Sequence, residues 1–255
     1  MRNEAIYSEN YKGLTINIYL DEDAQNPFDD WDCEPPLAVY SDRSISEYSV
    51  GYGNVSHVPT LTREQIKTNT RAICSILNAK SLLDAADRSN EIYSYSAVEQ
   101  INYVLGRHVA DLYESERLDV LCDLYNMAGM PAVCSDVRGC SQGDWAKVLA
   151  VATPEFQEAC GNGADFDWIP SLKMSIQLFE DWAFGNVYGY EVLDADGENI
   201  DSCWGFFGDY DAPYSALSEA RSAADGHIEN ARKDRLEQVK TWIKNRVPLQ
   251  YRLTA

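Results

Sequence analysis

Histidine is scarce in this chain and basic charge is thin. The three His (His57, His108, His227) fall at no metal-ligand spacing, and the seven Cys contain no Cys-x-x-Cys pair. Those absences argue against a structural zinc site. The odd number and scattered spacing of the Cys argue against a disulfide framework and for reduced thiols. No run of eighteen apolar residues exists to span a bilayer, and residues 1–13 hold no apolar signal core. A cytoplasmic protein without membrane or cofactor is therefore expected. The glycine-rich phosphate cradles of nucleotide enzymes are missing. No convincing nucleophile elbow or Cys–His pair appears either. Gly161-Asn162-Gly163 reads as a helix stop. No catalytic residue is nominated.

Acid is what the chain has in excess. It carries 41 Asp+Glu against 21 Lys+Arg over 255 residues, a formal net of -20. Residues 1–229 hold 39 acids and 14 bases, a net of -25, while the end of the chain is basic. From Asp21 to Glu34, seven of fourteen residues are acidic and none is basic. These seven, Asp21, Glu22, Asp23, Asp29, Asp30, Asp32 and Glu34, are the candidate partner-binding residues. A folded anionic surface repels nucleic acid and anionic membranes and attracts proteins with basic grooves. The alternative is that the acidity only aids solubility. Sixteen Tyr and six Trp separate the chain from disordered acidic tails, so it is expected to fold.

Leu14–Leu20 alternates apolar and polar residues and reads as a strand; Leu37–Tyr40 reads as a short partner strand. Thr62 with Gln65, and Ser96 with Glu99, make capping-box patterns ahead of helical periodicity. A further helix is expected over residues 118–127. Ser141 is read as the cap of a helix through Trp145, Val148 and Leu149. Thr153-Pro154-Glu155 starts another, and residues 172–184 another. Asp196-Gly197 between two alternating runs predicts a hairpin over residues 187–207, with Trp204 and Phe206 packed. The Asp194–Asp201 segment has the wrong glycine offset for a calcium loop and is read as a turn. A long helix closes the chain from about residue 214, with Gly226 as a point of interruption.

These elements predict an α+β fold: an antiparallel sheet holding the first strand and the hairpin, packed by helices. The organisation expected is an N-terminal strand and acidic loop (1–60), a helical insertion (61–135) and an α+β region with a C-terminal helix (136–255), together forming one compact unit.

Several stretches carry a likeness to a family: Gln142 to Glu155, Phe184 to Tyr190, Asp194 to Gly208, and the opening Ile16 to Asp23 with Trp31 and Asp32. They resemble an acidic, uncharacterised family of bacteriophages and mobile elements. The likeness covers the start and about residues 138–225, and residues 60–130 lie outside it. It implies a mobile-element protein working in a bacterial host's cytoplasm. In charge and size, though not in motif, the chain also resembles the acidic nucleic-acid mimics that inhibit restriction and CRISPR complexes. The implied partner is a host protein with a basic nucleic-acid-binding groove, with no direct nucleic-acid contact. A phage accessory enzyme acting on a small substrate and a non-catalytic acidic scaffold remain the alternatives.

Overall fold

The structure, a computed structural model, describes residues 4–31, 34–41, 44–49, 51–78, 95–138, 145–161 and 166–246. Contacts divide the chain into two compact units, residues 1–24 with 185–255, and residues 25–184. The boundaries fall at 24/25 and 184/185 rather than near 60 and 135, so the helices of residues 61–135 belong to the second unit. Among the described residues there are eight helices and two four-stranded antiparallel sheets, the α+β fold expected.

The first unit holds strands β1 (Tyr7–Tyr11), β2 (Leu14–Leu20), β7 (Val187–Leu193) and β8 (Asn199–Phe207), in the order β1-β2-β7-β8. A two-residue turn at Lys12 (φ 54°) and Gly13 (φ 90°) joins β1 to β2. Both residues lie in the left-handed region that hairpin turns need. The Asp196-Gly197 turn joins β7 to β8, and the Asp194 carboxylate accepts from the N–H groups of Asp196 and Glu198, each at 2.9 Å. Strand β2 alternates as its sequence reads. Ile16 and Ile18 are fully buried with Tyr190 and Val192, against Leu217, Ala220 and Ala224 of the last helix, α8 (Ala216–Arg246). Thr15, Asn17 and Tyr19 fall on the opposite face. Helix α8 runs unbroken through Gly226, so the expected interruption is absent.

In the second unit the sheet order is β4 (Ser44–Tyr48), β3 (Leu37–Ser41), β6 (Trp145–Val151), β5 (Ala132–Arg138). Helices cover both faces. Ala38, Leu149 and Val151 pack with Leu105 of α4 (Tyr95–Asp111), Leu118, Leu121 and Leu124 of α5 (Glu114–Met127), Ile66 of α2 (Arg63–Thr68) and Ile73 of α3 (Thr70–Ile76). On the other side Val39, Val148 and Ala150 pack with Phe28 of α1 (Pro27–Asp30), Phe156 of α6 (Pro154–Cys160), and Leu172 and Phe179 of α7 (Trp168–Ala183).

Two local expectations are corrected here. Trp145 to Leu149 is strand β6, not a helix, and Ser141 lies outside the described residues. A strand buried on both faces reads as an unbroken apolar run, which periodicity cannot separate from a buried helix. Leu37–Tyr40 is a strand, but it pairs with β4 and β6 rather than with β2.

The capping signals fare better. Thr62 and Gln65 make both bonds of a capping box, and Thr153 caps α6 through its hydroxyl, with Gly161 (φ 65°) ending that helix. Ser96 falls within α4 with its side chain outside the described set. Among the described residues no helix is long and apolar enough to cross a membrane.

Candidate interaction surface

The acidic stretch is divided by the fold. Asp21, Glu22 and Asp23 belong to the first unit; Asp29, Asp30, Asp32 and Glu34 belong to the second. Asp21 is half-buried, and its N–H donates to the Val187 carbonyl at 2.8 Å, continuing the pairing of β2 with β7. Glu22 and Asp23 are exposed. Asn26 caps α1, accepting from the Phe28 N–H at 3.0 Å and donating to the Asp29 carboxylate at 2.9 Å. Phe28 is buried beneath the turn it opens, and Asp29 stands exposed above it. The side chain of Asp30, and Asp32 altogether, lie outside the described residues. Glu34 turns inward: half-buried, it accepts from the Ser175 hydroxyl at 2.7 Å, and burial raises its pKa above the usual carboxylate range. The stretch is thus not one solvated array.

Sheet register adds acids that the sequence reading did not nominate. Strands β2 and β8 flank β7 on either side and run in the same direction. The chain leaves β2 into Asp21–Asp23 and leaves β8 into Gly208, whose N–H donates to the Asn186 carbonyl at 3.0 Å, and then into Asp209 and Asp211. Asp21, Glu22, Asp23, Asp209 and Asp211 therefore leave one end of the same sheet, from strands about 10 Å apart. The hundred and eighty residues between them in sequence hide that juxtaposition, and only the parallel run of two non-neighbouring strands reveals it.

The few cations near the first sheet act at joints between elements. Arg221 of α8 forks onto Glu9 of β1, at 2.8 and 2.9 Å, and this holds the Glu9 carboxyl below its usual pKa. Lys12 pairs with Asp225 at 2.6 Å. In the second unit Lys147 of β6 pairs with Asp119 of α5 and lies 3.4 Å from Asp136 of β5. Among the described residues, no ion pair reaches Glu22, Asp23, Asp196, Glu198, Asp209 or Asp211.

The opposite face of the first sheet carries an aromatic patch. Trp204 is 46% exposed, against the expectation that it packs, while Phe206 is half-buried on the helix side. The Trp204 indole packs against Gly189, where an added Cβ would stand 2.1 Å from its ring. Its neighbour is Tyr19, with ring centroids 5.9 Å apart. A glycine opposite the indole lets β7 come this close. Gly205 (φ 84°) shifts the register of β8, so Tyr190 pairs with Cys203 while Tyr188 pairs with Phe206.

Two of the described thiols are held protonated by their surroundings. Burial and nearby carboxylates push Cys122 up to about 11, and burial raises Cys134 further, so both are thiols at neutral pH.

The fold and these surfaces define an anionic α+β protein of two compact units, with carboxylates at one end of its first sheet that make no ion pair among the described residues. Comparison with protein-family models, with curated proteins and with solved structures finds no match for this chain.

Proposed function

We propose that the protein is a non-catalytic binder that occupies the basic nucleic-acid groove of a host defence complex, of the restriction or CRISPR type. The observation that carries this reading is the set Asp21, Glu22, Asp23, Asp209 and Asp211, held at one end of a sheet with Glu22, Asp23, Asp209 and Asp211 free of ion pairs among the described residues. Duplex DNA presents about one charge per 1.7 Å of axis, and a groove built for it attracts any rigid anionic array of similar pitch. The acids follow the strands in backbone-bonded turns, with the Asp21 N–H on the Val187 carbonyl and the Ala212 N–H on the Asp209 carbonyl, which restrains them more than a free loop would. Competition needs no chemistry from the binder. The likeness to a family of phages and mobile elements points to the same setting, a bacterial cytoplasm where such complexes work.

The test is capture from a host lysate, followed by affinity measurement on the captured partner. Wild type is compared with the fivefold variant Asp21→Asn, Glu22→Gln, Asp23→Asn, Asp209→Asn, Asp211→Asn. Binding is expected to weaken at least about tenfold in the variant, and steeply with salt in the wild type. Salt-independent binding, or a variant that binds as wild type does, overturns the reading. A retained metabolite turned over by the purified protein favours an accessory enzyme instead.

A further inference from the structure

Helix α8 is two helices in function. Its first turns, through Leu217, Ala220 and Ala224, are buried against the sheet. From Asn230 to Arg246 every residue is exposed except Ile243, which is half-buried. Those seventeen residues project about 26 Å as one unbroken rod. An isolated helix of that length is marginal in water, and most helical stability comes from packing an apolar face. This arm has such a face. Ile228, Leu236, Val239, Trp242 and Ile243 fall within about 120° of arc, continuing the buried stripe of the first turns. Leu236, Val239 and Trp242 are each about half exposed. The arm is also basic: six Lys and Arg against Asp234 and Glu237 from residue 230 to 246. Lys233 and Lys240 are paired within the helix, to Glu229 and Glu237. Arg246 lies over the Trp242 ring at 5.7 Å.

We propose that this arm docks on the anionic body of a second copy of the chain. Charge complementarity selects that occupant. Residues 1–229 carry a net of -25, so the body attracts a basic arm and repels any nucleic acid or anionic membrane that the arm approaches. Arm-on-arm pairing is disfavoured, because Arg232 and Arg235 share the apolar arc and meet their counterparts there. The arm does not reach its own sheet, since it continues straight out of the helix that packs on it. Docking covers the Leu236–Val239–Trp242 stripe and sets Arg232, Arg235 and Arg246, which share its arc, against carboxylates.

Sedimentation velocity of the full chain, from about 1 to 100 µM in low and high salt, tests this. A dimer is expected at low salt, weakening at least about tenfold as the screening length falls from about 10 Å near 0.1 M toward 3 Å near 1 M. Two exposed-site variants, Val239→Ala with Trp242→Ala, and Arg232→Glu with Arg235→Glu, are expected to weaken it at least about tenfold. Unchanged denaturant midpoints of the variants keep an unfolded chain from being mistaken for a monomer. A chain that stays monomeric throughout overturns the proposal. So does a dimer that tightens with salt, which marks arm-on-arm pairing, or one indifferent to both variants. Arm-dependent binding of a monomer to duplex DNA or to anionic vesicles also overturns it.

Discussion

The two sheets have the same strand number and the same antiparallel order of pairing, yet they are built on different plans. The first is covered by α8 on one face and leaves Thr15, Asn17, Tyr19 and Glu191 on the other, where Tyr19 donates to Glu191 at 3.1 Å. The second is covered by helices on both faces, and Val148, Leu149, Ala150 and Val151 of β6 are all fully buried. The first sheet therefore keeps polar chemistry along its strands and at its ends, while the second devotes its strands to the core. The first sheet leaves one face open, and most of the buried apolar mass among the described residues belongs to the second unit.

The sharpest way to break that contrast is to truncate neighbours along one strand. In β6, Leu149→Ala and Val148→Ala should each be costly, about 2–5 kcal/mol for the leucine, because each opens a cavity in a different core. In β2, Ile16→Ala should cost a similar amount while the adjacent Asn17→Ala changes stability by about 0.5 kcal/mol or less. Denaturant midpoints of the four variants measure this. Equal effects at Ile16 and Asn17 would end the one-face description of the first sheet.

Next in size is Gly189→Ala, expected to cost about 1–3 kcal/mol, since its methyl cannot coexist with the Trp204 indole. Adding Trp204→Ala should recover part of that loss, and a double-mutant cycle that shows strict additivity would refute the contact. Arg221→Ala should cost about 1 kcal/mol, a modest figure because 42% of the Arg221 side chain is exposed.

The smallest effects carry the clearest sign. Glu9 has a depressed pKa in the folded state, so its contribution is present above the unfolded carboxylate pKa and is lost as pH falls through the folded one. Glu34 is raised, so its contribution is greatest at low pH and is lost as pH rises through its folded pKa. At neutral pH, Glu9→Gln should therefore lower the melting temperature and Glu34→Gln should raise it. Both differences should shrink as the pH falls into the carboxylate range. Melting curves between about pH 3 and 7 check the pair, and like signs for the two variants would contradict the assigned environments.

Legibility followed the same divide. Strand β2 and the β7–β8 hairpin were readable because alternation and an Asp-Gly turn are local signals. The caps at Thr62 and Thr153 were readable for the same reason. Strand β6 reads in sequence as a helix, because burial on both faces erases the period-two signal. Strand β5 (Ala132–Arg138) carries no readable period, because Cys134, Ser135 and Asp136 break its apolar pattern where α5 and β6 pack on it. The acidic stretch was legible as composition, yet its grouping was not. Glu34 is drawn in by Ser175 of α7, a residue 141 positions away.

The sequence by itself determined the charge contrast between body and tail, the hairpin, the capped helices and the α+β class, because each depends on residues close together in the chain. Tertiary structure alone decided which strands share a sheet, which faces are covered, and which carboxylates stand together. Strand order brings β2 beside β7 and sets β3 apart with β6, and no local preference encodes that choice. It is made by the joint burial of side chains that lie more than a hundred residues apart, such as Ile16 with Val192 and Val39 with Val148.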